Sequence, residues 1–328
     1  TGKPNYPGGK LFKNYKDNPN EYQFFKECKI HRVPIILRGS ASKFDLVINY
    51  MSFLINAFFY SIVFLRKKNY DVVFTFATSP VTVGLLSIFI SKLTRSKTVI
   101  WVLDLWPDII HELGIIKNRS ILFILKKIVN YMYRNSEYIY AQSNSFLLEI
   151  AKVTNSDKID LLHSWPEKIN FSCDQRSNLL EYKGDYLNVI FAGSIGETQN
   201  LKELVSVFKE LEKEKARLII IGDGREKPYL ENLVKSQKLN NIIFIDQQPL
   251  NKIPELILHA DILLLSLKVG KVGSYTIPGK FSTYLKFGLP ILCHAKGEVS
   301  ENVKNNNFGL CSNPGDTNTL KKNILSLK

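Results

Sequence analysis

Cysteine, methionine and tryptophan are scarce in this sequence of 328 residues, which contains four, two and three of them. The cysteines (Cys28, Cys173, Cys293 and Cys311) form no CxxC pair and have no histidine cluster nearby. This argues against a metal site or a disulfide framework and favours a reducing compartment, the cytoplasm. The sequence also lacks a secretory signal and an initiator methionine. Because it starts in a turn-like stretch and stops in a helix-like one, we expect both ends to be incomplete.

Positive charge is in excess, with 44 Lys and Arg against 30 Asp and Glu and a net charge of +14. Such an excess favours polyanionic partners: nucleic acid, an anionic membrane face or phosphorylated small molecules. An ordinary basic surface has the same composition and remains the alternative. Apolar residues make up 45% of the chain, enough for two cores, so the composition argues against disorder.

An uncharged run covers residues 46–65 and is followed by a basic cluster at 66–68. A run of about 20 residues is long enough to cross a bilayer. However, Asn49, Ser52 and Asn56 recur at helical spacing and give the segment a polar stripe. Three interpretations stay open: a helix that is buried or lines a cleft, a helix lying in the membrane surface, and a true span. The basic cluster would suit anionic lipid.

Short apolar runs alternate with amphipathic segments along most of the chain. The strand-like runs are VPIIL, DVVFTF, KTVIWVLD, YIYAQS, LNVIFAG, RLIIIG, NIIFID, DILLLSL, LPILCHA and FGLCSN. Runs that are apolar almost throughout are typical of parallel strands buried on both faces. The alternation predicts an α/β fold with doubly wound sheets. Since it breaks once, we predict two Rossmann-like domains, 1–165 and 186–328, joined by a linker at 166–185.

Two glycine-containing loops follow predicted strands in the second half, where doubly wound sheets bind ligands. Their candidate ligand-binding residues are Gly193, Ser194 and Gly196 in the first loop and Gly222, Gly224 and Arg225 in the second. Glycine permits close backbone approach, and the N–H groups of a helix start attract phosphate. The guanidinium of Arg225 has the fork geometry that suits a diphosphate. The alternative for both loops is a tight turn, the second with a solvated arginine.

A third loop places Pro278 and Gly279 before a predicted helix with Lys280 in its first turn. A cation at that end opposes the helix dipole, so a bound phosphate would supply the missing negative charge. The alternative is an exposed lysine. After the next strand comes Glu298, a carboxylate that could hold ribose or sugar hydroxyls.

The first half offers one comparable candidate, Asp104, at the end of the run KTVIWVLD and beside Trp106. An aromatic ring can cover the apolar face of a sugar while a carboxylate binds its hydroxyl groups. The alternative is structural, with Trp106 packed in a core and Asp108 capping a helix.

Taken with these loops, the sequence resembles the retaining glycosyltransferases of the GT-B fold, in family 4, which includes bacterial surface-polysaccharide enzymes. The resemblance extends over nearly the whole chain and is carried by FATSPVTVGL, DLWPDII, FAGSIGETQNL, IGDGREKPYLENL, TIPGKFSTYLKFGLPIL and KGEVSENVKNNNFGL. The combination of TIPGK with GE resembles the L-fucosamine (N-acetylfucosamine) transferases of O-antigen and capsule assembly.

The resemblance implies an acceptor domain, then a nucleotide-sugar domain, facing each other across a cleft. It also implies a first strand before the present start, helices after the present end, and a lipid-linked (polyprenyl diphosphate) sugar as acceptor at the inner membrane face. Many family members carry Arg and Lys where this chain has Ser194 and Gln199, and two glutamates where it has Tyr275 and Thr283. We therefore expect Arg225 and Lys280 to replace the cations and Glu298 to replace a carboxylate, and we keep Thr283 among the donor contacts.

The sequence thus predicts a retaining, metal-independent and cofactor-independent transfer of a sugar, from a UDP donor, by a peripheral membrane enzyme. Asp104, Lys280 and Arg225 are the predicted catalytic residues. One rival is a UDP-sugar 2-epimerase of the same architecture. The other is a non-enzymatic nucleotide- or nucleic-acid-binding protein, which is disfavoured because no aromatic-and-basic pattern or helix-turn-helix is present.

Overall fold

The protein is described from a computed structural model, which covers residues 1–5, 9–39, 42–166, 168 and 186–327. Its contacts divide the chain into two compact units. Unit 1 comprises Thr1–Gln142 and Phe146–Leu162, and unit 2 comprises Ser143–Ser145 and His163–Lys328. The predicted linker, 166–185, lies outside the described residues except for 166 and 168, so the predicted domain boundaries stay predictions.

Unit 1 contains a four-stranded parallel sheet and a short antiparallel hairpin. The strands in chain order are β1 (Phe24–Phe25) and β2 (Cys28–Lys29) in the hairpin, then β3 (Val72–Ala77), β4 (Lys97–Val102), β5 (Tyr138–Ala141) and β6 (Ile159–Leu161). The last four lie side by side in the order β3-β4-β5-β6. The sequence did not predict β1, β2 or β6, because each is only two or three residues long.

Six α-helices accompany these strands. They are α1 (Lys13–Asp17), α2 (Lys43–Tyr60), α3 (Val83–Thr94), α4 (Asp108–Glu112), α5 (Arg119–Asn135) and α6 (Asn144–Ala151), the first two residues of which belong to unit 2. Ser42 caps α2 by accepting the backbone N–H of Asp45, whose carboxylate accepts the N–H of Ser42 in return. α2 continues into a π-helical turn, Ser61–Leu65.

The predicted strand VPIIL, residues 33–37, is wrong. This segment makes one isolated bridge, between Val33 and Gly2, and otherwise bonds to side chains of α2. Asn49 and Asn56 donate to the carbonyls of Ile36 (2.6 Å) and Pro34 (2.9 Å), and Ser52 accepts the N–H of Ile36 at 2.9 Å. The polar stripe noted in the sequence therefore binds a neighbouring backbone segment.

The opposite face of α2 is apolar and exposed, and Phe44, Val47 and Met51 lie on it. The stretch Phe44–Leu65 is long and apolar enough to cross a membrane by length and composition. Only about a sixth of it (17%) is buried within the protein. The helix is thus bound to unit 1 along one stripe, and its other faces are largely uncovered.

Unit 2 contains six parallel strands. They are β7 (Leu187–Ala192), β8 (Ala216–Ile221), β9 (Ile242–Ile245), β10 (Ile262–Ser266), β11 (Ile291–His294) and β12 (Gly309–Ser312), in the order β12-β11-β10-β7-β8-β9. The helices are α7 (Leu201–Glu210), α8 (Lys227–Ser236), α9 (Ile253–Ile257), α10 (Lys271–Tyr275), α11 (Gly279–Leu285), α12 (Glu298–Asn305) and α13 (Thr317–Ser326).

Two apolar cores cover the faces of this sheet. Val189 and Phe191 of β7 belong to one core, and Ile190 between them belongs to the other. Burial on both faces explains the continuous apolar runs, because neither set of alternating side chains meets water. Nine of the ten predicted strands are confirmed, and so is the predicted class of two Rossmann-like, doubly wound units.

Candidate functional site

The order of strands in unit 2 reverses beside β7. β10 lies next to β7 although β8 and β9 come between them in the chain. Such a reversal opens a crevice at the carboxyl ends of the strands, where doubly wound folds bind ligands. The loops after β7 and β10 meet there: the N–H of Lys268 donates to the carbonyl of Thr198 at 2.8 Å. The Lys268 ammonium also pairs with Glu197 at 2.6 Å.

α11 is attached to the end of β7. The hydroxyl of Tyr284, which is buried, accepts the backbone N–H of Ala192 at 2.8 Å. Lys280 lies four residues before Tyr284 and therefore on the same side of the helix. Its Nζ donates to Oε1 of Gln199 at 2.7 Å and lies 3.7 Å from the centre of the Phe191 ring. The structure thus brings Lys280 to the loop after β7.

The surroundings of Lys280 are unusual for a cation. In the described part of the chain, its partners are a neutral amide and an aromatic ring, and it pairs with no carboxylate. Loss of hydration lowers the pKa of Lys280 to about 7. A nearby anion would favour the charged form and satisfy the remaining N–H donors. The geometry can therefore bind a phosphate group, and the predicted role of Lys280 stays a prediction.

Packing against neighbouring backbone requires glycine at positions 222 and 224. A Cβ on Gly222 would lie 1.9 Å from the carbonyl oxygen of Gly193, and one on Gly224 would lie 2.1 Å from that of Ile195. Both residues also have positive φ, +150° and +158°. The N–H of Ile195 donates to the carbonyl of Asp223 at 2.8 Å, so strand-like pairing continues into these loops. Close backbone packing explains both glycines without a ligand.

Gly196 and Gly279 have no such reason. Gly196 has an ordinary extended backbone, with φ −134° and ψ 168°. No described atom lies within 4 Å of where its Cβ would stand. The nearest neighbour of a Cβ on Gly279 is the Cβ of Ser164, at an ordinary 3.9 Å. Both glycines border open space, which leaves room for the close approach that the sequence predicted.

Ser194 and Arg225 are exposed in the loops after β7 and β8, which are neighbours in the sheet. No ion pair within the described residues engages the Arg225 guanidinium. A Cβ on Gly193, the residue before Ser194, would lie 3.0 Å from Nζ of Lys280. The absence of a side chain at Gly193 therefore makes room for the ammonium.

Glu298 is buried and both of its carboxylate oxygens are occupied. They accept the backbone N–H groups of Asn144 and Ser145, each at 2.8 Å, at the start of α6. A carboxylate is stabilised there because the first N–H groups of a helix lack partners. The structure therefore gives Glu298 a structural contact, and its predicted contact with ribose or sugar hydroxyls stays a prediction. Thr283 lies on α11, one turn after Lys280.

Asp104 of unit 1 lies two residues beyond β4. The Ser79 hydroxyl donates to its Oδ2 at 3.4 Å. Burial raises the pKa of Asp104, and the hydrogen bonds from Ser79 oppose that effect only in part. Nearby, the indole N–H of Trp106 is buried without a partner among the described residues. α4 begins at Asp108, which puts that carboxylate in the first turn, whereas the structural alternative expected it at the cap position that Pro107 occupies.

The sequence did not predict two residues that contact Lys280 in the structure. Gln199 and Phe191 surround the Lys280 ammonium, 81 and 89 positions away along the chain. Gln199 stands where the family resemblance implies a lysine, and that departure was the available signal. Within the described ranges, no three His, Cys, Asp or Glu side chains cluster as a metal site would require.

Comparison with known proteins supports the predicted fold. Residues 175–328 match the family model of the glycosyl transferases group 1. The fold is also that of sucrose-phosphate synthase from Thermosynechococcus elongatus (TM-score 0.64, 15% identity, 94% of this chain and 77% of that one). HepE of Anabaena, solved in complex with UDP-glucose, superposes with a TM-score of 0.59 at 14% identity, over 78% of this chain and 68% of that one. The chain therefore has the GT-B fold, and its second half matches the model of the glycosyl transferases group 1.

Curated relatives are similar over most of the chain. The putative colanic acid biosynthesis glycosyl transferase WcaI of Escherichia coli K12 is 22% identical, over 88% of this chain and 72% of that protein. The probable glycosyltransferase WbjE of Pseudomonas aeruginosa is 23% identical, over 79% of this chain and 66% of that protein.

Proposed function

We propose that this protein transfers a sugar from a UDP donor to a lipid-linked glycan, with retention of anomeric configuration, in the synthesis of a surface polysaccharide. The observation that carries the proposal is the Lys280 ammonium, which faces the loop after β7 without a carboxylate partner among the described residues. The UDP-glucose complex of HepE and the name of WcaI support the donor and the pathway class.

The donor diphosphate lies across the carboxyl ends of β7 and β8. Lys280 and Arg225 supply positive charge, and backbone N–H groups of the loop at Ser194 supply further donors. Gly196 and Gly279 let the diphosphate approach the backbone. Charge grows on the leaving diphosphate as the glycosidic bond breaks, so cations already in place stabilise the transition state more than the ground state.

The sugar transfer needs few protein acid–base groups. The bond between the anomeric carbon and the diphosphate oxygen breaks, and the acceptor hydroxyl forms its new bond on the same face. The hydroxyl proton passes to the departing phosphate oxygen. Asp104 orients the donor sugar or the acceptor, a role that requires its ionised form.

Several finer features of the proposal extend the resemblance. The transferred sugar is N-acetylfucosamine-like, and the acceptor is a sugar on a polyprenyl diphosphate. The enzyme is peripheral on the inner face of the cell membrane, where its net charge of +14 favours anionic lipid. The reaction needs no metal ion and no cofactor.

Thermal unfolding with a panel of UDP-, GDP- and dTDP-sugars tests the donor. A ligand at 100 times its Kd stabilises the native state by about 2.7 kcal/mol. We expect stabilisation by UDP-sugars only, and a weaker effect in Lys280→Ala. If UDP-sugars leave Tm unchanged, the protein does not bind the proposed donor. If Lys280→Ala binds as well as wild type, that lysine lies outside the site.

Two activity assays test the reaction itself. A chelator such as EDTA should leave transfer intact, and loss of activity that Mg²⁺ or Mn²⁺ restores would contradict metal independence. Incubation of the UDP-sugar without acceptor should leave the sugar unchanged. Isomerisation of the sugar would show that the protein is an epimerase and not a transferase.

A further inference from the structure

The outward face of α5 carries large apolar side chains. Phe123 and Ile124 are 60% and 58% exposed, and Tyr131 projects on the same side two turns later. The opposite side of the helix is anchored in unit 1 by Val129 and Met132, which are buried. Solvent-facing helix surfaces usually carry polar side chains. An aromatic and a branched aliphatic side chain side by side are therefore a feature that needs a reason.

α5 is held in place at both ends. At its start, Oδ1 of Asn118 accepts the N–H groups of Ser120 (2.9 Å) and Ile121 (3.2 Å). At its end, the Lys158 ammonium donates to backbone carbonyls, among them those of Tyr133 and Ser136, both at 2.9 Å. The exposed apolar side chains thus sit on an ordered helix.

The charges around this face have one sign. Residues 113–136 include five Lys and Arg and no Asp or Glu. Lys126 and Lys127 follow the apolar pair after one residue, Leu125, and Nζ of Lys127 lies 5.2 Å from the centre of the Phe123 ring. Neither lysine forms an ion pair with any described residue. The face therefore combines uncovered apolar surface with uncompensated positive charge.

We propose that this face of α5 binds an anionic lipid bilayer. Apolar side chains next to lysines suit the boundary between acyl chains and headgroups, because the lysine stems lie along apolar surface while their ammonium groups reach lipid phosphates. A protein partner is less suited, since the buried centres of protein interfaces are depleted in lysine. Nucleic acid would pair with the lysines but would leave Ile124 in water. The inference deepens the proposed membrane location and rests on it for its biological meaning.

A second helix of unit 1 supports this choice of partner. α3 packs against both α2 and α5. α2 exposes Phe59, and the π-helical turn that extends it exposes Val63 and Phe64. The basic cluster 66–68 follows them. Two helices of this unit, both packed against α3, therefore present apolar surface next to positive charge.

Sedimentation with lipid vesicles tests the proposal. The full chain is mixed with vesicles of phosphatidylcholine alone or with about one third phosphatidylglycerol, which gives a negative surface potential. The variants are Phe123→Ser with Ile124→Ser, which removes apolar contact, and Lys126→Gln with Lys127→Gln, which removes charge. The matched control is Lys209→Gln with Lys213→Gln, an equal loss of charge on exposed residues of unit 2.

We expect wild type to bind the anionic vesicles and to release them in high salt. A lysine near such a surface contributes roughly fivefold in affinity, so the double lysine variant of α5 should bind about 25-fold more weakly. The serine variant should also lose binding, and the control should bind like wild type. Because all six side chains are exposed, the variants should keep the wild-type Tm, which is measured in parallel.

Three results would overturn the proposal. In the first, wild type does not bind anionic vesicles. In the second, the α5 variants bind the vesicles as well as the control does. In the third, the protein binds duplex DNA and only the lysine variant loses that binding. Transfer from the UDP-sugar to a water-soluble acceptor is measured on the same proteins. Loss of vesicle binding with retained transfer would leave the proposed reaction intact, and loss of transfer in wild type would count against the reaction alone.

Discussion

Replacement of Gly279 by alanine separates a structural from a functional reason for this glycine. Gly279 is the first residue of α11, and a Cβ there would meet only the Cβ of Ser164, at 3.9 Å. The new methyl group therefore fits the protein without strain. Alanine in a compatible conformation stabilises the native state by about 0.4–1 kcal/mol, because the unfolded chain loses freedom. We expect Tm to rise by about 1–4 °C.

The same methyl group should obstruct the donor. If the diphosphate contacts the backbone at Gly279, the added carbon forces it outward, at a cost of about 1–3 kcal/mol, as for overpacking in a core. This corresponds to UDP binding weaker by about 5- to 150-fold. Isothermal titration with UDP measures the affinity and calorimetric unfolding measures Tm.

A control variant tests whether stabilisation of unit 2 by itself changes the affinity for UDP. Ser206→Ala, on the exposed side of α7, also introduces a better helix former in unit 2. It should raise Tm slightly and leave the affinity for UDP unchanged. If Gly279→Ala is more stable than wild type and binds UDP equally well, the diphosphate does not approach this backbone, and the reasoning about the open glycines is refuted.

Three further predictions concern protonation and packing. The pKa of Lys280 is about 7 and an anion binds its protonated form, so the affinity for UDP should fall by up to about tenfold per pH unit above pH 7. In UDP titrations from pH 6 to 9, Lys280→Met should lose this part of the pH dependence. Gly222→Ala should lower the free energy of unfolding by about 3 kcal/mol or more, because its Cβ would overlap the carbonyl oxygen of Gly193. If the variant unfolds in denaturant at the same concentration as wild type, the packing argument is refuted. Glu298→Ala should cost about 1–3 kcal/mol by leaving two N–H groups of α6 without their acceptor, whereas loss of UDP affinity at unchanged stability would assign Glu298 to the donor.

The strands of unit 2 could be predicted because their signal is local. Each run between Leu187 and Ser312 is apolar at nearly every position, and burial on both faces is the only strand environment that requires this. The segment 33–37 has an equally apolar composition and is no strand. Its hydrogen-bonding groups are taken by Asn49, Ser52 and Asn56 of α2, and such long-range competition leaves no trace in local composition.

The candidate site could be predicted only in outline. Strand ends and glycines are visible in the sequence, so Lys280 and Gly279 were predicted from their positions. The open surroundings of Gly196 and the crowded ones of Gly222 look the same in sequence, since both are glycines after a strand. Only the distances to neighbouring backbone atoms distinguish a glycine needed for packing from one that borders open space.

The sequence by itself determined the class of fold, because hydrophobic periodicity and turn residues act over a few positions and dictate where strands and helices form. The tertiary structure decided the partners of each charged side chain. It brought Lys280 to Gln199 across 81 positions and used Glu298 to hold the start of α6. Such contacts depend on the order of strands in the sheet and on where each helix packs, and those arise from the folding of the whole unit.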